Sequence, residues 1–188
     1  MIIIKLATFL LAIFCYCTTI SAQETKRVTS IIDSSYIGEL VLIQEFDVNV
    51  PLDDVWDAYT TKEGWEGAFV PKADVDFKVG GLIRTSYDPN ATIGDSTTIY
   101  LHIINYVPKK LLTLQAEISR NFPEFMKSDA KDFYNVITFD ALEEEKTKVV
   151  SYGIGYKNTE KYMSLMKFFI QGNEMSYEQL IDYLEKNK

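Results

Sequence analysis

The first regular pattern along the chain is an alternation of apolar and polar residues over positions 38–50. Apolar side chains share one face of an extended chain there, and acidic side chains recur on the other face. An alternation with a period of two predicts a strand with one buried face. The residues of the apolar face are Leu40, Leu42, Phe46, Val48 and Val50.

A helix start follows this strand directly. Pro51 precedes Asp53 and Asp54. Proline has no N–H group that would need an acceptor, and carboxylates are stabilised at the positive end of the helix dipole, so this combination is typical of a helix N-terminus. The spacing predicts one helix over 52–60 and a second, short helical turn over 61–69.

The middle of the chain is predicted to form antiparallel strands joined by turns. The glycine pair Gly80-Gly81 and the sequence Asp88-Pro89-Asn90 supply residues that tolerate turn dihedrals. The segment 120–133 is longer than a hairpin connection needs, and we expect it to form a flap over an opening. The predicted strands cover residues 73–78, 81–87, 97–107, 111–119, 135–143 and 148–156.

The apolar period becomes helical from residue 158 to residue 187, where Tyr162, Met166 and Phe169 recur three or four positions apart. Gly172 lies inside this pattern at a cost of about 1 kcal/mol relative to alanine, which leaves a kink or a break there open. The order of elements predicts an α+β fold, in which a curved antiparallel sheet of about six or seven strands wraps around the long C-terminal helix.

Residues 1–22 have the composition of a secretory signal peptide. Lys5 is followed by an apolar run and then by small residues before a polar sequence. The run is shorter than the roughly 20 apolar residues that a spanning helix needs. We expect cleavage after Ala22, a secreted or periplasmic location, a flexible segment at 23–37 and a single domain at 38–188.

Both cysteines, Cys15 and Cys17, lie in the predicted signal peptide. The mature chain would then have no thiol for a disulfide, a nucleophile or a zinc site, and lipid attachment at a cysteine is the alternative. The net charge is −8, and removal of Lys5 makes it more negative. A surface so acidic repels phosphates and anionic headgroups, so neither a nucleic-acid partner nor stable membrane insertion is expected.

Four local motifs occur in a fixed order within residues 38–188. They are VPLDDVWDAYT at 50–60, DVDFKVGG at 74–81, INYVPKKL at 104–111 and LIDYLE at 180–185. Together they resemble the START-like (SRPBCC) superfamily and, within it, the activator of Hsp90 ATPase homologue 1-like branch. The resemblance implies a helix-grip (START/Bet v 1-like) fold, in which the sheet and the long helix enclose a cavity.

Two features depart from the family's pattern. The family often has Gly-Trp at the start of the last part of the long helix, whereas Gly172 is followed by Asn173 here. The family is also mostly intracellular, and an exported protein would meet neither cytosolic Hsp90 nor ATP. The resemblance therefore implies a fold but leaves the protein's role open.

His102 is the only histidine, so it is the first candidate for an acid, a base or a ligand. No second histidine and no mature cysteine could complete a common zinc shell with it, and we predict no metal and no cofactor. Ser151 lacks the Gly-x-Ser-x-Gly context of an activated nucleophile and fits an ordinary strand residue. We predict no catalytic residue.

Small-molecule sites are mostly apolar with a few placed polar groups, and tyrosines combine an apolar body with a polar tip. The larger aromatic residues could lie either in the core or at the mouth of a cavity. Arg84 either faces solvent or binds the acidic head group of a ligand. The predicted ligand-binding residues are Trp65, Phe69, Arg84, Tyr100, His102, Tyr152, Met163 and Met166.

Three hypotheses for the function follow. The leading one is an exported, non-catalytic domain that binds a small hydrophobic or aromatic molecule between sheet and helix. The second is a protein-interaction module of the cell envelope, which would dock a partner through an apolar patch at 122–126. The third is a cyclase- or hydratase-like enzyme, because relatives with this general fold include such activities. The enzyme requires a cluster of polar groups inside the cavity.

Overall fold

The computed structural model describes residues 26–118 and 122–186. Eight strands form one antiparallel sheet and four α-helices accompany it, so the predicted α+β class is confirmed. The strands are β1 Thr29–Asp33, β2 Glu39–Val48, β3 Lys72–Val75, β4 Leu82–Ser86, β5 Ile99–Val107, β6 Leu111–Ala116, β7 Tyr134–Glu143 and β8 Lys146–Lys157. The helices are α1 Leu52–Thr60, α2 Lys62–Ala68, α3 Glu124–Asp129 and α4 Glu160–Lys186.

The strand order in the sheet is β1-β2-β8-β7-β6-β5-β4-β3. Segments far apart along the chain are therefore neighbours near one edge of the sheet, because β2 pairs with β8 along most of its length. The face of β2 that carries Leu42, Gln44 and Phe46 is turned inward, and α4 packs on it. We call this the inner face of the sheet and the opposite face the outer face.

The short helices begin where the sequence predicts them. Pro51 precedes α1, and Asp53 and Asp54 occupy its first turn. Thr61 caps α2, and its hydroxyl accepts a hydrogen bond from the Gly64 backbone nitrogen at 3.0 Å. A capping hydroxyl of this kind satisfies one of the N–H groups that a helix start leaves unpaired.

Apolar side chains form two separate groups along α4. The large core cluster joins α1, α2 and the C-terminal half of α4, and includes Trp56, Phe139 and Leu180. The small core cluster joins the N-terminal half of α4 to the start of β2 and to residues 122–133. Its buried members are Leu40, Leu42, Met126, Phe133, Tyr162 and Met166.

Two sequence-based expectations differ from the structure. The segment 23–37, expected to be flexible, contains strand β1, which pairs with β2 from Thr29 opposite Glu45 to Asp33 opposite Val41. Helix α4 runs without interruption through Gly172. Packing against a core cluster on each half of α4 stabilises the helix enough to outweigh the low helix propensity of one glycine. The predicted signal peptide, with both cysteines, lies outside the described residues.

Candidate functional site

A cavity of about 530 Å³ lies between the inner face of the sheet, helix α4 and the segment 122–133, which we call the flap. This volume falls within the range of about 300–1,000 Å³ that is usual for small-molecule sites. Its walls are mainly apolar. The apolar residues lining it are Leu42, Ile99, Ala116, Ile118, Phe122, Met126, Phe133, Tyr156 and Phe169.

Four uncharged polar side chains line one part of this wall, and we call them the polar belt: Gln44, Asn135, Ser151 and Asn173. They come from three neighbouring strands and from α4, because Gln44 pairs with Ser151 across β2 and β8, and Asn135 lies one strand further on β7. Gln44 and Ser151 are almost completely buried. Buried polar groups are costly unless they form hydrogen bonds, so their partners define the site.

Hydrogen bonds connect the belt in two chains. In one, the Tyr177 hydroxyl donates to Ser151 Oγ at 2.8 Å, and Ser151 Oγ donates to Asn135 Oδ1 at 2.8 Å. In the other, Asn173 Nδ2 donates to Gln44 Oε1 at 2.8 Å, and Gln44 Nε2 donates to the Ser30 hydroxyl at 2.9 Å.

The two tyrosines near the belt favour their neutral forms. Burial raises the pKa of the Tyr177 hydroxyl. Burial also raises the pKa of Tyr156 to about 12, so both tyrosines stay protonated at neutral pH. Glu117 is the one charged residue among the described lining residues, and its carboxylate contacts His102 Nε2 at 2.8 Å. The belt can therefore form hydrogen bonds but holds no group suited to take up a proton.

The flap covers the cavity, as the length of this connection predicts. Phe133 stacks on Tyr156, with ring centroids 4.8 Å apart, and Phe125 meets Tyr162 edge to face at 5.0 Å. The Tyr162 hydroxyl donates to Asp129 Oδ2 at 2.7 Å. Lys157 pairs with the same carboxylate at 2.7 Å.

Of the eight residues predicted to bind a ligand, Tyr100 lies at the cavity. The strand register pairs Arg84 with Tyr100 and Leu82 with His102, and the Arg84 and His102 side chains are directed to the outer face. Tyr100, near the start of β5, is nevertheless among the residues that line the cavity. Arg84 pairs with Asp74 at 2.6 Å, and His102 pairs with Glu117. Arg84 and His102 are thus paired with carboxylates, and neither is among the described residues that line the cavity.

The remaining predicted residues are also placed away from the cavity wall. Trp65 and Phe69 pack on each other in the large core cluster, and Trp65 Nε1 donates to the Tyr59 carbonyl at 2.9 Å. Tyr152 lies on the outer face opposite Ile43. Met163 and Met166 pack in the small core cluster. Ligand contact by these residues remains a prediction, and the structure does not bring them together.

The polar belt contains no aromatic and no charged side chain, and none of its residues is among the ligand-binding residues predicted from the sequence. Its signal is nevertheless present in the sequence, since each strand residue of the belt occupies an inward position between apolar ones. Gln44 lies between Leu42 and Phe46, and Asn135 precedes Ile137 on the same face. A polar residue that interrupts the buried face of a strand indicates either a buried network or a binding site.

Two searches of the described residues gave negative results. Within 26–118 and 122–186, no group of three or more His, Cys, Asp or Glu side chains is placed to hold a metal ion. No helix in these ranges is both long enough and apolar enough to cross a membrane.

The sheet that grips α4 and the cavity between them define the helix-grip class. Residues 49–185 match the family described as Activator of Hsp90 ATPase homolog 1-like protein. This match covers most of the chain, so the chain belongs to that family. No functionally curated protein matches the sequence.

Solved structures support the same fold. The Aha1 dimer from Colwellia psychrerythraea is 14% identical, with a TM-score of 0.58 over 77% of this chain and 96% of the other. Protein MLL2253 from Mesorhizobium loti is 16% identical, with a TM-score of 0.60 over 79% and 98%. CalU16 from Micromonospora echinospora is 17% identical, with a TM-score of 0.57 over 84% and 85%. At such identities these similarities concern the fold alone.

Proposed function

We propose that the protein binds a small, mostly apolar molecule in the cavity between the sheet and α4 without changing it chemically. The observation that carries this proposal is the cavity of about 530 Å³ itself, with its apolar walls and its polar belt. Protein interiors are normally close-packed, so a space with mainly apolar walls beneath a covering flap supports the binding of an apolar molecule. The family and the fold are compatible with ligand binding.

The polar belt also supports binding over catalysis. An enzyme that removes or adds water needs an acid or a base with a pKa suited to neutral pH. The belt consists of amides and a serine, and the nearby Tyr177 has its pKa raised by burial. His102, the first sequence-based candidate for an acid or a base, is paired with Glu117 and is not among the described residues that line the cavity.

The interaction hypothesis lacks the patch that it requires. Phe122, Phe125 and Met126 of the flap turn toward α4 and pack in or against the small core cluster, so they do not form an exposed apolar surface. The strongly exposed apolar side chains lie elsewhere, for example Phe168 and Met175 on α4. Nothing in the structure identifies a partner for them.

Export remains part of the proposal, because it rests on the composition of residues 1–22. Expression of the whole chain in a bacterial host, followed by cell fractionation and mass spectrometry of the N-terminus, tests it. A mature protein that begins at Gln23 in the periplasm or the medium is expected. A full-length protein that stays in the cytoplasm would contradict it.

Titration of the purified protein with the neutral fluorescent dye N-phenyl-1-naphthylamine tests ligand binding. Ala116 lines the cavity at the end of β6, so Ala116→Phe places a ring in the space that the ligand needs. Ala141, exposed near the end of β7, offers the matched control Ala141→Phe. We expect saturable binding that Ala116→Phe weakens at least tenfold and Ala141→Phe leaves within twofold.

The unfolding midpoints of both variants, measured in urea, show that each is folded. Equal dye binding by the unchanged protein and by a folded Ala116→Phe variant would contradict the proposal. Absence of saturable binding to the unchanged protein by this dye and by other neutral apolar probes would also contradict it.

A further inference from the structure

The hydrogen-bond directions in the polar belt can be assigned from a charged group at one end. Glu174 forms an ion pair with Lys26 at 2.7 Å. Burial alone would raise its pKa, but hydrogen bonds from Lys26 and Ser30 outweigh burial and hold the pKa below its usual value. Glu174 is therefore ionised and can only accept hydrogen bonds.

This carboxylate fixes the groups that follow it. Ser30 Oγ lies 2.6 Å from Glu174 Oε1, so its single proton is donated there and its oxygen accepts from Gln44 Nε2. The amide oxygen of Gln44 must then point the other way, where Asn173 Nδ2 donates to it. Each side chain in this chain has only one orientation that satisfies its neighbours.

The second chain of bonds reaches Asn135 through two hydroxyl groups. Its Oδ1 accepts from Ser151 Oγ, whose oxygen accepts in turn from the Tyr177 hydroxyl. The amide nitrogen of Asn135 carries two N–H groups. Tyr177, which lies within hydrogen-bonding reach of Asn135, can take at most one of them. Among residues 26–118 and 122–186, no acceptor is found for the second N–H group. The Asn135 side chain lines the cavity.

We infer that the ligand is an uncharged molecule with a carbonyl oxygen, such as a ketone, an ester or a lactone, and that Asn135 Nδ2 donates a hydrogen bond to that oxygen. This inference rests on the proposed function. The apolar remainder of the ligand would pack against Leu42, Phe133 and Phe169, which line the same space.

The charges of the described lining residues do not favour an acidic head group. The described lining residues include no lysine and no arginine, and Glu117 adds a negative charge. The whole chain carries a net charge of −8, which further disfavours the approach of an anion. Burial of a carboxylate without a cation is costly, whereas burial of a carbonyl that accepts one hydrogen bond is not.

Displacement of the bound dye by two matched compounds tests the inference on the unchanged protein. The probes are 2-undecanone and decanoate at pH 7.5, which have similar chain lengths and differ in the head group. We expect the ketone to displace the dye at a concentration on the order of 100-fold lower than decanoate, because the carboxylate loses its hydration without gaining a cation.

A substitution at the anchoring residue adds a second measurement. Asn135→Leu keeps the approximate size of the side chain and removes its N–H groups, so ketone affinity should fall about fivefold more than dye affinity does. The matched control is Asn105→Leu, at an exposed position on β5, which should change neither affinity.

The outcomes separate this inference from the proposed function. One outcome is that Ala116→Phe blocks dye binding while decanoate displaces the dye as well as or better than the ketone. That outcome would refute the inference that the ligand is an uncharged carbonyl compound and would leave the binding function in place. A folded Asn135→Leu variant with unchanged ketone affinity would overturn the role of Asn135. If the unchanged protein binds neither dye nor ketone, both the binding function and the inference drawn from it are wrong.

Discussion

Replacement of glycine by alanine should have opposite effects at two positions in this fold. Gly172 lies in the middle of the unbroken helix α4, and a methyl group added there would meet no atom within 4 Å. Alanine has the higher helix propensity and restricts the unfolded chain. We therefore expect Gly172→Ala to raise the free energy of unfolding by about 0.5–1 kcal/mol.

At Gly155 the same change meets two obstacles. Its φ of +89° lies in the left-handed region, where a side chain costs about 1–2 kcal/mol. An added Cβ would also lie 1.7 Å from the Asp132 carbonyl oxygen, in the last turn of the flap. The Asp132 oxygen belongs to the backbone, and the backbone of residue 155 fixes the position of the added Cβ. Either β8 or the flap must therefore move. We expect Gly155→Ala to lower the free energy of unfolding by more than about 2 kcal/mol.

Urea unfolding followed by tryptophan fluorescence measures both effects, because Trp56 and Trp65 are buried in the large core cluster. For a chain of this size, each kcal/mol shifts the melting temperature by about 2–4 °C. A Gly155→Ala variant as stable as the unchanged protein would refute the close contact between β8 and the flap. A destabilised Gly172→Ala variant would show that α4 is not a regular helix at that point.

Two further predictions concern buried hydroxyls and the flap. Tyr177→Phe removes the hydrogen bond to Ser151 and should lower the free energy of unfolding by about 0.5–1.5 kcal/mol. Tyr59→Phe should be neutral or slightly stabilising in the same urea assay, because no described residue forms a hydrogen bond with the buried Tyr59 hydroxyl. Lys157 and Tyr162 donate hydrogen bonds to the Asp129 carboxylate and lower its pKa. The ionised carboxylate therefore stabilises the flap above about pH 4, and this stabilisation is lost as the pH falls through the lowered pKa. Hydrogen exchange in α3, corrected for intrinsic rates, should quicken over that pH range, and Asp129→Asn should remove this dependence.

The parts of the fold that the sequence predicts are those set by local physics. The alternation in β2, the proline and acids at the start of α1 and the double glycine before β4 all act within a few residues. Strand β1 is different, because its five residues, TSIID, show no clear alternation and it gains its order by pairing with β2. Its formation depends on a partner that a local pattern does not reveal.

The site could be predicted only in part, for a related reason. The length of one connection predicts a flap over the cavity. The face of β5 that is turned inward, in contrast, depends on how β5 pairs with β4 and β6. Ile103 and Leu101 take the inner face, so the neighbouring His102 is turned outward. Residue type had made His102 a candidate, and strand register placed it outside the cavity. The sequence alone does not reveal that register.

The polar belt is the feature of this core that folding alone does not require. Leucine at Gln44, Asn135 or Asn173 would continue the apolar inner surface, and fully bonded buried networks are at best about as stable as well-packed apolar side chains. Yet the belt residues of β2, β7 and β8 lie side by side, and α4 contributes Asn173 at the same level. Local rules of folding are most often broken where function demands it. Because these groups line an open space, the proposed binding function accounts for their position.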